Sequence, residues 1–338
     1  MKTLQRGKKA LVCALACACL AFALFGLAAC GSKETKDQQE AQPSQEAAVD
    51  VMRIGTLQTE DSLPFWAAQQ LGYYQKNGVD VEIITFQSAQ ELSAAFAASE
   101  IDGAMTDVQV SAALAASGMD IKLAWVTLGE DATQGRFGIM TSPESGITSL
   151  KDLAGKGIGV GSNTVPEYVM DQLMLEAGVP QDQIVGEEIK KIPVRYEAMA
   201  NNQVAAAALP GSLLALGESQ GMVLLADDTQ GENISQSVFA VNAAWVEEGG
   251  QAALDKMASS WNAAAAAITA DPESFRALLI EKANLPERVA QTYPVATYPG
   301  TSVPGLSCVQ HVLNWMEEKG YLGADVSYNA TTGILSTK

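Results

Sequence analysis

The amino-acid sequence predicts an α/β protein made of two similar lobes. Strand-like and helix-like segments alternate from Val51 onward, and this alternation is typical of parallel strands joined by crossover helices. The same alternation returns in the middle of the chain. Two more strand-like segments, Phe137–Thr141 and Ser237–Asn242, stand before and after the second unit, which indicates that the chain crosses between the lobes twice.

The first unit is predicted to have the order βαβαβ. Residues 51–57 alternate apolar and polar side chains and therefore predict a strand. Pro64 begins a helix that Gly72 ends, as expected from the preference for proline at the start of a helix and glycine beyond its end. The remaining elements are predicted at 79–86 (strand), 90–99 (helix) and 101–105 (strand).

The second unit repeats this order and forms a weak internal repeat with the first. Thr164 and Glu167 have the spacing of a capping box at the start of a helix. After the third strand of each unit, Leu209-Pro210 corresponds to Thr106-Asp107. The elements of the second unit are predicted at 157–160 (strand), 165–177 (helix), 187–192 (strand), 196–201 (helix) and 204–209 (strand).

The residues after Ala243 are predicted to be mostly helical and to pack back on the first lobe, which makes that lobe discontinuous. These helices are predicted at 252–270, 272–283, 287–292 and 307–319. The predicted boundaries are therefore 51–141 and 238–338 for lobe I, and 142–237 for lobe II.

The N-terminal segment reads as an export signal. A basic start is followed by the uncharged apolar run 10–27 and by Ala28-Ala29-Cys30. The alternative is a transmembrane helix, because the run is about long enough to span a bilayer. Its ending resembles the lipobox of bacterial lipoproteins, which implies cleavage after residue 29 and lipid attachment at Cys30. Residues 30–50 are polar and predict a flexible tether.

Charge and cysteine content exclude several function classes. The 338 residues carry 39 acidic and 21 basic side chains, and without the four basic residues of the signal the formal charge changes from -18 to -22. Such an acidic surface argues against nucleic acid as a partner, although a pocket for a small anion can be locally positive. Once the signal and Cys30 are set aside, Cys308 remains, so no intrachain disulfide is expected. Cys308 and the single histidine, His311, are too few ligands for a zinc site.

Motifs of catalysis are missing from the sequence. It contains no Gly-x-Ser-x-Gly, no His-Glu-x-x-His and no phosphate-binding Gly-x-x-x-x-Gly-Lys-Ser/Thr. The glycines of residues 155–161 lack the spacing of a nucleotide-binding loop and lead into a strand rather than out of one. We therefore expect no catalytic residue, no cofactor and no metal.

The polar loops that follow the predicted strands indicate a binding cleft. In open α/β sheets, ligands bind beyond the carboxyl ends of the strands, where helix N-termini favour anionic groups. Arg195 could add a bidentate charge partner. For the hydroxyl residues the alternative is ordinary helix capping, and for Trp66 it is core packing. The candidate residues are Gln58, Thr59, Asp61, Ser62, Leu63, Trp66, Gln87, Ser88, Thr106 and Asp107 in lobe I, and Ser162, Asn163, Thr164, Arg195 and Pro210 in lobe II.

Several segments together resemble one family of solute-binding proteins, the nitrate/sulfonate/taurine and thiamine-precursor group. That group shows a Pro-aromatic-x-Ala helix, then Gly-aromatic-aromatic, then Gly-hydrophobic-Asp-Val. The matching segments here are 63–68, 71–74, 78–82, 100–104 and 149–160. The cysteine-rich signature of the pyrimidine-binding branch is absent. The likeness is good over residues 54–225 and loose in the C-terminal third.

The resemblance implies a type II periplasmic-binding-protein fold, with two α/β lobes joined by two crossover strands around a ligand cleft. Such proteins deliver a solute to the permease and ATPase subunits of an ABC importer. A nitrate-like, sulfonate-like or pyrimidine-like small molecule is the expected ligand, and a lipid-anchored monomer outside the cytoplasm is the expected form. A sensory lipoprotein and an enzyme of the same fold are the alternatives.

Overall fold

The computed structural model describes residues 51–132, 134–230 and 234–338. The predicted export signal (1–29), the lipid-attachment site Cys30 and the tether (30–50) lie outside the described residues. No helix in the described part of the chain is long and apolar enough to cross a membrane.

Two β-sheets with helices packed against them make up the described chain. The strands are β1 (Val51–Leu57), β2 (Asp80–Phe86), β3 (Gly103–Asp107), β4 (Ile121–Leu128), β5 (Phe137–Thr141), β6 (Gly157–Val160), β7 (Val185–Glu188), β8 (Ala206–Pro210), β9 (Val223–Asp227), β10 (Ser237–Asn242), β11 (Val326–Asn329) and β12 (Ile334–Thr337). The helices are α1 (Leu63–Gln70), α2 (Tyr73–Asn77), α3 (Ala89–Ala97), α4 (Val108–Ala116), α5 (Val165–Glu176), α6 (Ile192–Ala200), α7 (Gly211–Ser219), α8 (Ala243–Trp245), α9 (Gln251–Ala270), α10 (Arg276–Lys282) and α11 (Leu306–Glu318).

Four neighbouring strands of each sheet have the same order and direction, so the weak internal repeat in the sequence corresponds to a repeated arrangement of strands. The first sheet has the order β11-β12-β4-β10-β3-β1-β2 and the second has the order β7-β6-β8-β5-β9. In both, three parallel strands are followed by one antiparallel strand, which is β10 in the first sheet and β5 in the second. That antiparallel strand comes from the segment of chain that connects the two sheets. The α/β fold class predicted from the sequence is confirmed.

Helices cover both faces of the first sheet, because its strands are apolar on both sides. An aromatic cluster fills one face, where the ring centroids of Phe65 and Trp261 lie 4.7 Å apart and those of Trp125 and Phe239 lie 4.6 Å apart. On the other face α4 packs over strands β3, β10 and β4, and α11 packs against α4 and β11. Replacing a buried tryptophan such as Trp261 by alanine costs about 3 to 5 kcal/mol.

The described parts of two connecting segments, 129–132 with 134–136 and 228–230 with 234–236, lie between the sheets and meet where Gly129 approaches Ser235. Gly129 has φ +85°, and a Cβ atom there would lie 2.0 Å from the Ser235 carbonyl oxygen. Asp228 accepts a hydrogen bond of 2.8 Å from the Phe137 backbone N–H. The chain therefore passes between the sheets through one closely packed crossing, which admits glycine and no larger residue at position 129.

The structure corrects several expectations. Strand Phe137–Thr141 pairs with β8 and β9 in the second sheet, so it does not close lobe I as predicted. Residues 287–292 form turns rather than a helix, because their backbone hydrogen bonds do not continue from one residue to the next. The C-terminal hairpin β11–β12 and the helices α4 and α7 were not predicted. From here on, lobe I is the first sheet with its helices and lobe II is the second sheet with its helices.

The predicted capping box at Thr164 is also wrong. Thr164 is the N-cap residue of α5, but its hydroxyl donates to the Gly161 carbonyl at 2.6 Å. Glu167 accepts instead from the Asn163 backbone N–H at 2.6 Å, because Asn163 adopts a left-handed conformation with φ +58°.

Candidate functional site

A cavity of about 370 Å³ lies between the two lobes. It is bounded by the carboxyl ends of the parallel strands of both sheets, where open α/β folds place their ligands. Its volume falls in the range of small-molecule sites. The lining residues of lobe I are Leu57, Thr59, Asp61, Ser88, Ala89, Gln90, Ser93, Met105, Thr106, Asp107, Val110, Ala113 and Ser237, and those of lobe II are Phe137, Gly161, Ser162, Asn163, Thr164, Val165, Pro166, Glu188, Lys190, Ile192, Arg195 and Pro210.

Two buried carboxylates, Asp61 and Asp107, stand on the lobe I wall. Asp61 accepts hydrogen bonds from the hydroxyls of Thr59 and Ser237. Burial raises the pKa of Asp61, and burial together with the nearby Asp61 raises the pKa of Asp107 to about 6. No cation lies within 4 Å of either carboxylate in the described part of the chain. This wall is therefore acidic and rich in hydrogen-bond acceptors.

Asp107 joins the two lobes. One of its carboxylate oxygens accepts from the Val110 N–H at 2.7 Å and caps α4, and the other accepts from the Val165 N–H at 3.2 Å, at the start of α5. One carboxylate thus satisfies free N–H groups of two helices from opposite lobes, and these hydrogen bonds offset part of the effect of burial, which raises the pKa of Asp107.

On the lobe II wall stands Arg195, which is 2% exposed. Its guanidinium donates to the carbonyls of Ile189 (2.9 Å), Ala208 (3.1 Å) and Lys190 (3.4 Å). Burial lowers its pKa to about 10, which still leaves it charged at neutral pH. None of the described carboxylates lies within 4 Å of it, and three of its five N–H donors are engaged, so two remain for another group.

Arg195 can approach the cavity because residue 161 is glycine. A Cβ atom at Gly161 would lie 2.7 Å from a guanidinium nitrogen of Arg195. The neighbouring Glu188 accepts hydrogen bonds from the backbone N–H and the hydroxyl of Ser162. It forms no ion pair with Arg195 within 4 Å, although its negative charge partly offsets the effect of burial on the pKa of Arg195.

Two oxygen atoms on the cavity walls have no hydrogen-bond partner in the described structure. They are Thr106 Oγ1 on lobe I and Asn163 Oδ1 on lobe II. Thr106 is 6% exposed, so water does not readily satisfy its hydroxyl. Buried polar groups usually have partners. Both atoms are closed off from solvent, so a bound molecule reaches them only if their side chains turn toward the cavity.

Ten of the fifteen sequence-predicted residues line the cavity. They are Thr59, Asp61, Ser88, Thr106, Asp107, Ser162, Asn163, Thr164, Arg195 and Pro210. Ser88, predicted either to bind or to cap, does cap α3, with its hydroxyl accepting from the Glu91 N–H at 3.2 Å. Arg195 does reach the cavity, but most of its donors bond to backbone carbonyls, so its bidentate capacity is already partly used.

Five predicted residues lie elsewhere. Gln58 and Gln87 line a groove of about 40 Å³ beside the cavity. Ser62 is buried with its hydroxyl on the Thr59 carbonyl. Leu63 is part of the core, and Trp66 packs against that core with Lys282 Nζ 4.3 Å from its ring centroid. Both residues belong to α1, and Trp66 is on the side of that helix that faces the core and not the cavity. This supports the core-packing alternative for Trp66.

The sequence reasoning also missed lining residues. Phe137 is the first residue of β5 and Ser237 is the first residue of β10. Each follows a connection between the sheets, so both residues lie between the lobes and line the cavity. Val110 and Ala113 lie on α4, which was not predicted. Glu188 and Lys190 were placed inside a strand, whereas strand β7 ends at Glu188 and Lys190 follows it.

Around the cavity the lobes meet through a buried contact and an exposed one. At the buried α5–α11 contact, Lys319 Nζ lies 3.2 Å from Glu167 and 3.0 Å from Asp171, and Trp315 donates to Asp171 at 2.8 Å. At the exposed contact, which we call the mouth, Lys191 Nζ of lobe II lies 3.0 Å from Gln87 Oε1 and 3.7 Å from a carboxylate oxygen of Glu91.

Metal binding finds no support in the described residues, where no group of three or more His, Cys, Asp and Glu side chains could hold an ion. Cys308 is a half-buried free thiol on α11, and burial raises its pKa to about 11. It is therefore protonated and unreactive at neutral pH.

Two α/β lobes, joined by a double crossing and enclosing a cavity at their strand ends, define the type II periplasmic-binding-protein fold. The chain belongs to the NMT1/THI5-like family, whose model matches residues 59–275. The family resemblance read from the sequence is thereby confirmed. No curated protein sequence matches the chain.

Solved structures share this fold at low sequence identity. The alkanesulfonate-binding protein SsuA from Xanthomonas axonopodis pv. citri, bound to MOPS, is 18% identical, with a TM-score of 0.67 over 80% of this chain and 94% of that one. The nitrate-binding protein NrtA from Synechocystis PCC 6803 is 16% identical, with a TM-score of 0.67 over 82% and 83%. The aliphatic sulphonate-binding protein SsuA from Escherichia coli is 17% identical, with a TM-score of 0.64 over 80% and 88%.

Proposed function

We propose that this chain is an extracytoplasmic solute-binding lipoprotein that captures a small solute between its lobes and delivers it to an ABC importer. The observation that carries the proposal is the cavity itself, which both lobes line with polar and charged side chains. Membership of the family supports it, and so do similar structures that are named as sulfonate-binding and nitrate-binding proteins. Permease and ATPase subunits are the proposed partners, and a lipid on Cys30 is the proposed anchor.

Binding is proposed to proceed by closure of the lobes about the solute. A solute that touches both walls stabilises the closed form, because each lobe alone offers only part of its contacts. Such a mechanism needs no catalytic group. The proposed role of the cavity acids is to accept hydrogen bonds, as Asp61 does from the hydroxyls of Thr59 and Ser237.

Tryptophan-fluorescence melting of the full-length protein in detergent tests the proposal. The panel contains nitrate, alkanesulfonates, pyrimidines and amino acids. A solute at ten times its Kd is expected to stabilise the protein by about 1.4 kcal/mol. Ala89→Leu, which fills the cavity from the first turn of α3, is expected to abolish that shift.

Ala97→Leu is the matched control, because it makes the same change on an exposed position of the same helix. A shift that Ala89→Leu leaves intact, or no shift with any solute, would contradict the proposal. Copurification of a membrane kinase instead of a permease would favour the sensory alternative, and turnover of the bound solute would favour an enzyme.

A further inference from the structure

We propose that the solute is a zwitterion with an apolar middle, whose protonated nitrogen lies against Asp61 and Asp107 and whose acidic group lies against Arg195. The inference rests on the proposed function and names the ligand class of the same cavity. It differs from the nitrate-like, sulfonate-like or pyrimidine-like solute expected from the sequence, because a simple anion would use only one of the two walls.

The first step is the separation of unpaired charge across the cavity. Asp61 and Asp107 belong to lobe I and are 7% and 8% exposed, and Arg195 belongs to lobe II and is 2% exposed. Described residues of opposite charge lie beyond 4 Å from all three. Unpaired buried charges are unfavourable, and they gain most from a partner that excludes water. A dipolar solute supplies both partners at once.

The second step is that the other charged residues of the cavity are already engaged. Lys190 Nζ lies 3.9 Å from Oε1 of Glu188 on the same lobe, and both side chains are well exposed. Glu188 also holds Ser162. The lining charges that form no ion pair with a described residue are therefore the two acids on one wall and the arginine on the other.

The third step concerns the polarity of the lobe I wall. Thr106 Oγ1 is buried beside Asp107 without a partner, and the carboxylates are acceptors when ionised. A nitrogen that carries several N–H groups matches this set of oxygens, whereas a sulfonate or nitrate oxygen placed there would meet repulsion. An anion is accommodated instead at Arg195, whose two remaining donors suit a carboxylate or sulfonate.

The fourth step is size. The lining between the charged ends is largely apolar, with Leu57, Met105, Val110, Ile192 and Phe137 around a volume of about 370 Å³. A small zwitterion with only two carbons between its charges would leave much of this surface uncovered. A ring or a comparable apolar spacer between the nitrogen and the acid would cover it.

Isothermal titration of the full-length protein with three matched probes tests the proposal. The probes are 4-(aminomethyl)benzoate, 4-methylbenzoate and benzylamine, which share one ring and carry both charges, the negative charge alone and the positive charge alone. We expect the zwitterion to bind at least about tenfold more tightly than either of the others, a difference of about 1.4 kcal/mol. Equal or tighter binding of 4-methylbenzoate, or no binding of any probe, overturns the proposal.

The variant Asp61→Asn tests the amine end of the proposed ligand separately from its acidic end. Its hydroxyl partners can rotate to suit an amide, so we expect it to fold, and the melting curve checks this. It is expected to weaken the zwitterion and benzylamine about tenfold while leaving 4-methylbenzoate unchanged. An equal effect on all three probes contradicts the assignment. If the zwitterion fails but a solute of the wider panel binds and is lost in Ala89→Leu, the ligand class is wrong and the proposed function stands.

Discussion

The lobes meet in unlike ways at the α5–α11 contact and at the mouth. At the α5–α11 contact, Glu167 and Asp171 are 3% and 0% exposed, and Lys319 reaches both. At the mouth, Lys191 and its partner Glu91 have about half of their side-chain surface in solvent. Buried pairs are costly to break, and exposed pairs contribute little. From this difference we expect the cavity to open at the mouth while α5 stays packed on α11.

The largest expected effect comes from breaking the buried contact. Lys319→Met leaves two buried carboxylates one helical turn apart without their cation, so we expect a loss of about 3 to 5 kcal/mol in the free energy of unfolding. Lys338→Met is the control, because its ion pair with Asp325 is exposed and is worth about 1 kcal/mol or less. Denaturant unfolding measures both. Equal losses would mean that burial does not distinguish the two lysines.

The second-largest loss in the free energy of unfolding is expected where the chain crosses between the lobes. Gly129→Ala adds a Cβ beside the Ser235 carbonyl and strains a positive φ, and we expect a loss of about 2 to 4 kcal/mol. Gly118→Ala is matched, since Gly118 also has positive φ (+96°) but open space around it. Its expected loss is about 1 kcal/mol, from the backbone alone. If both variants lose the same amount on denaturant unfolding, the crossing is less tightly packed than the structure indicates.

A smaller effect is expected from Asp107 and depends on pH. Its folded-state pKa of about 6 lies above the ordinary value of 3.8, so the folded protein holds this proton more tightly than the unfolded chain does. Its contribution to stability is therefore present below about pH 4 and is lost as the pH rises to about 6, by at most about 3 kcal/mol. Asp61 lies beside it, and Glu188, Lys190 and Arg195 face the same cavity.

Asp107→Asn removes this dependence and one of the two backbone hydrogen bonds, because an amide offers a single acceptor oxygen. Unfolding measured at pH 4 to 7 should therefore show the stability of the wild type falling relative to that of the variant as the pH rises. Parallel pH profiles of the two proteins would show that Asp107 titrates normally in the folded state.

The smallest effect on stability is expected at the mouth. Lys191→Met removes an exposed contact and is expected to cost less than about 1 kcal/mol in unfolding. Solute dissociation should accelerate by up to about fivefold, because the lost contact belongs to the closed form. Lys156→Met, an exposed change on the same lobe, is the control. Stopped-flow fluorescence measures the rate of solute dissociation from both variants. An unchanged rate in Lys191→Met would show that the contact at the mouth does not stabilise the closed form.

The sequence predicted the α/β class, the repeat and ten of the 25 lining residues, because strand alternation and polar strand ends are local signals. Asp107 and Arg195 were found in this way. Helix α4 was missed because it is buried nearly all round, so it has no polar face to give a helical period. Hairpin β11–β12 was missed because its strands are four residues long.

Long-range pairing could not be predicted from local pattern. Phe137–Thr141 reads as a strand in either lobe, and only its pairing with β8 and β9 assigns it to lobe II. In the same way, nothing near Lys319 indicates that it meets Glu167 and Asp171 on a helix of the other lobe. Trp66 is the opposite case. It follows a polar loop that lines the cleft, and the sequence therefore suggested a binding role, but in the fold its side chain packs against the core.

The most direct test of closure is a pulsed electron paramagnetic resonance measurement on spin-labelled protein in a Cys308→Ser background. One label pair, at Ala94→Cys and Glu197→Cys, spans the mouth from α3 to α6, and a second pair, at Glu176→Cys and Glu317→Cys, lies on α5 and α11. All four positions are exposed. Addition of a solute that binds is predicted to shorten and narrow the distance distribution across the mouth and to leave the α5–α11 distance unchanged. No change across the mouth on saturation with solute would contradict closure between the lobes.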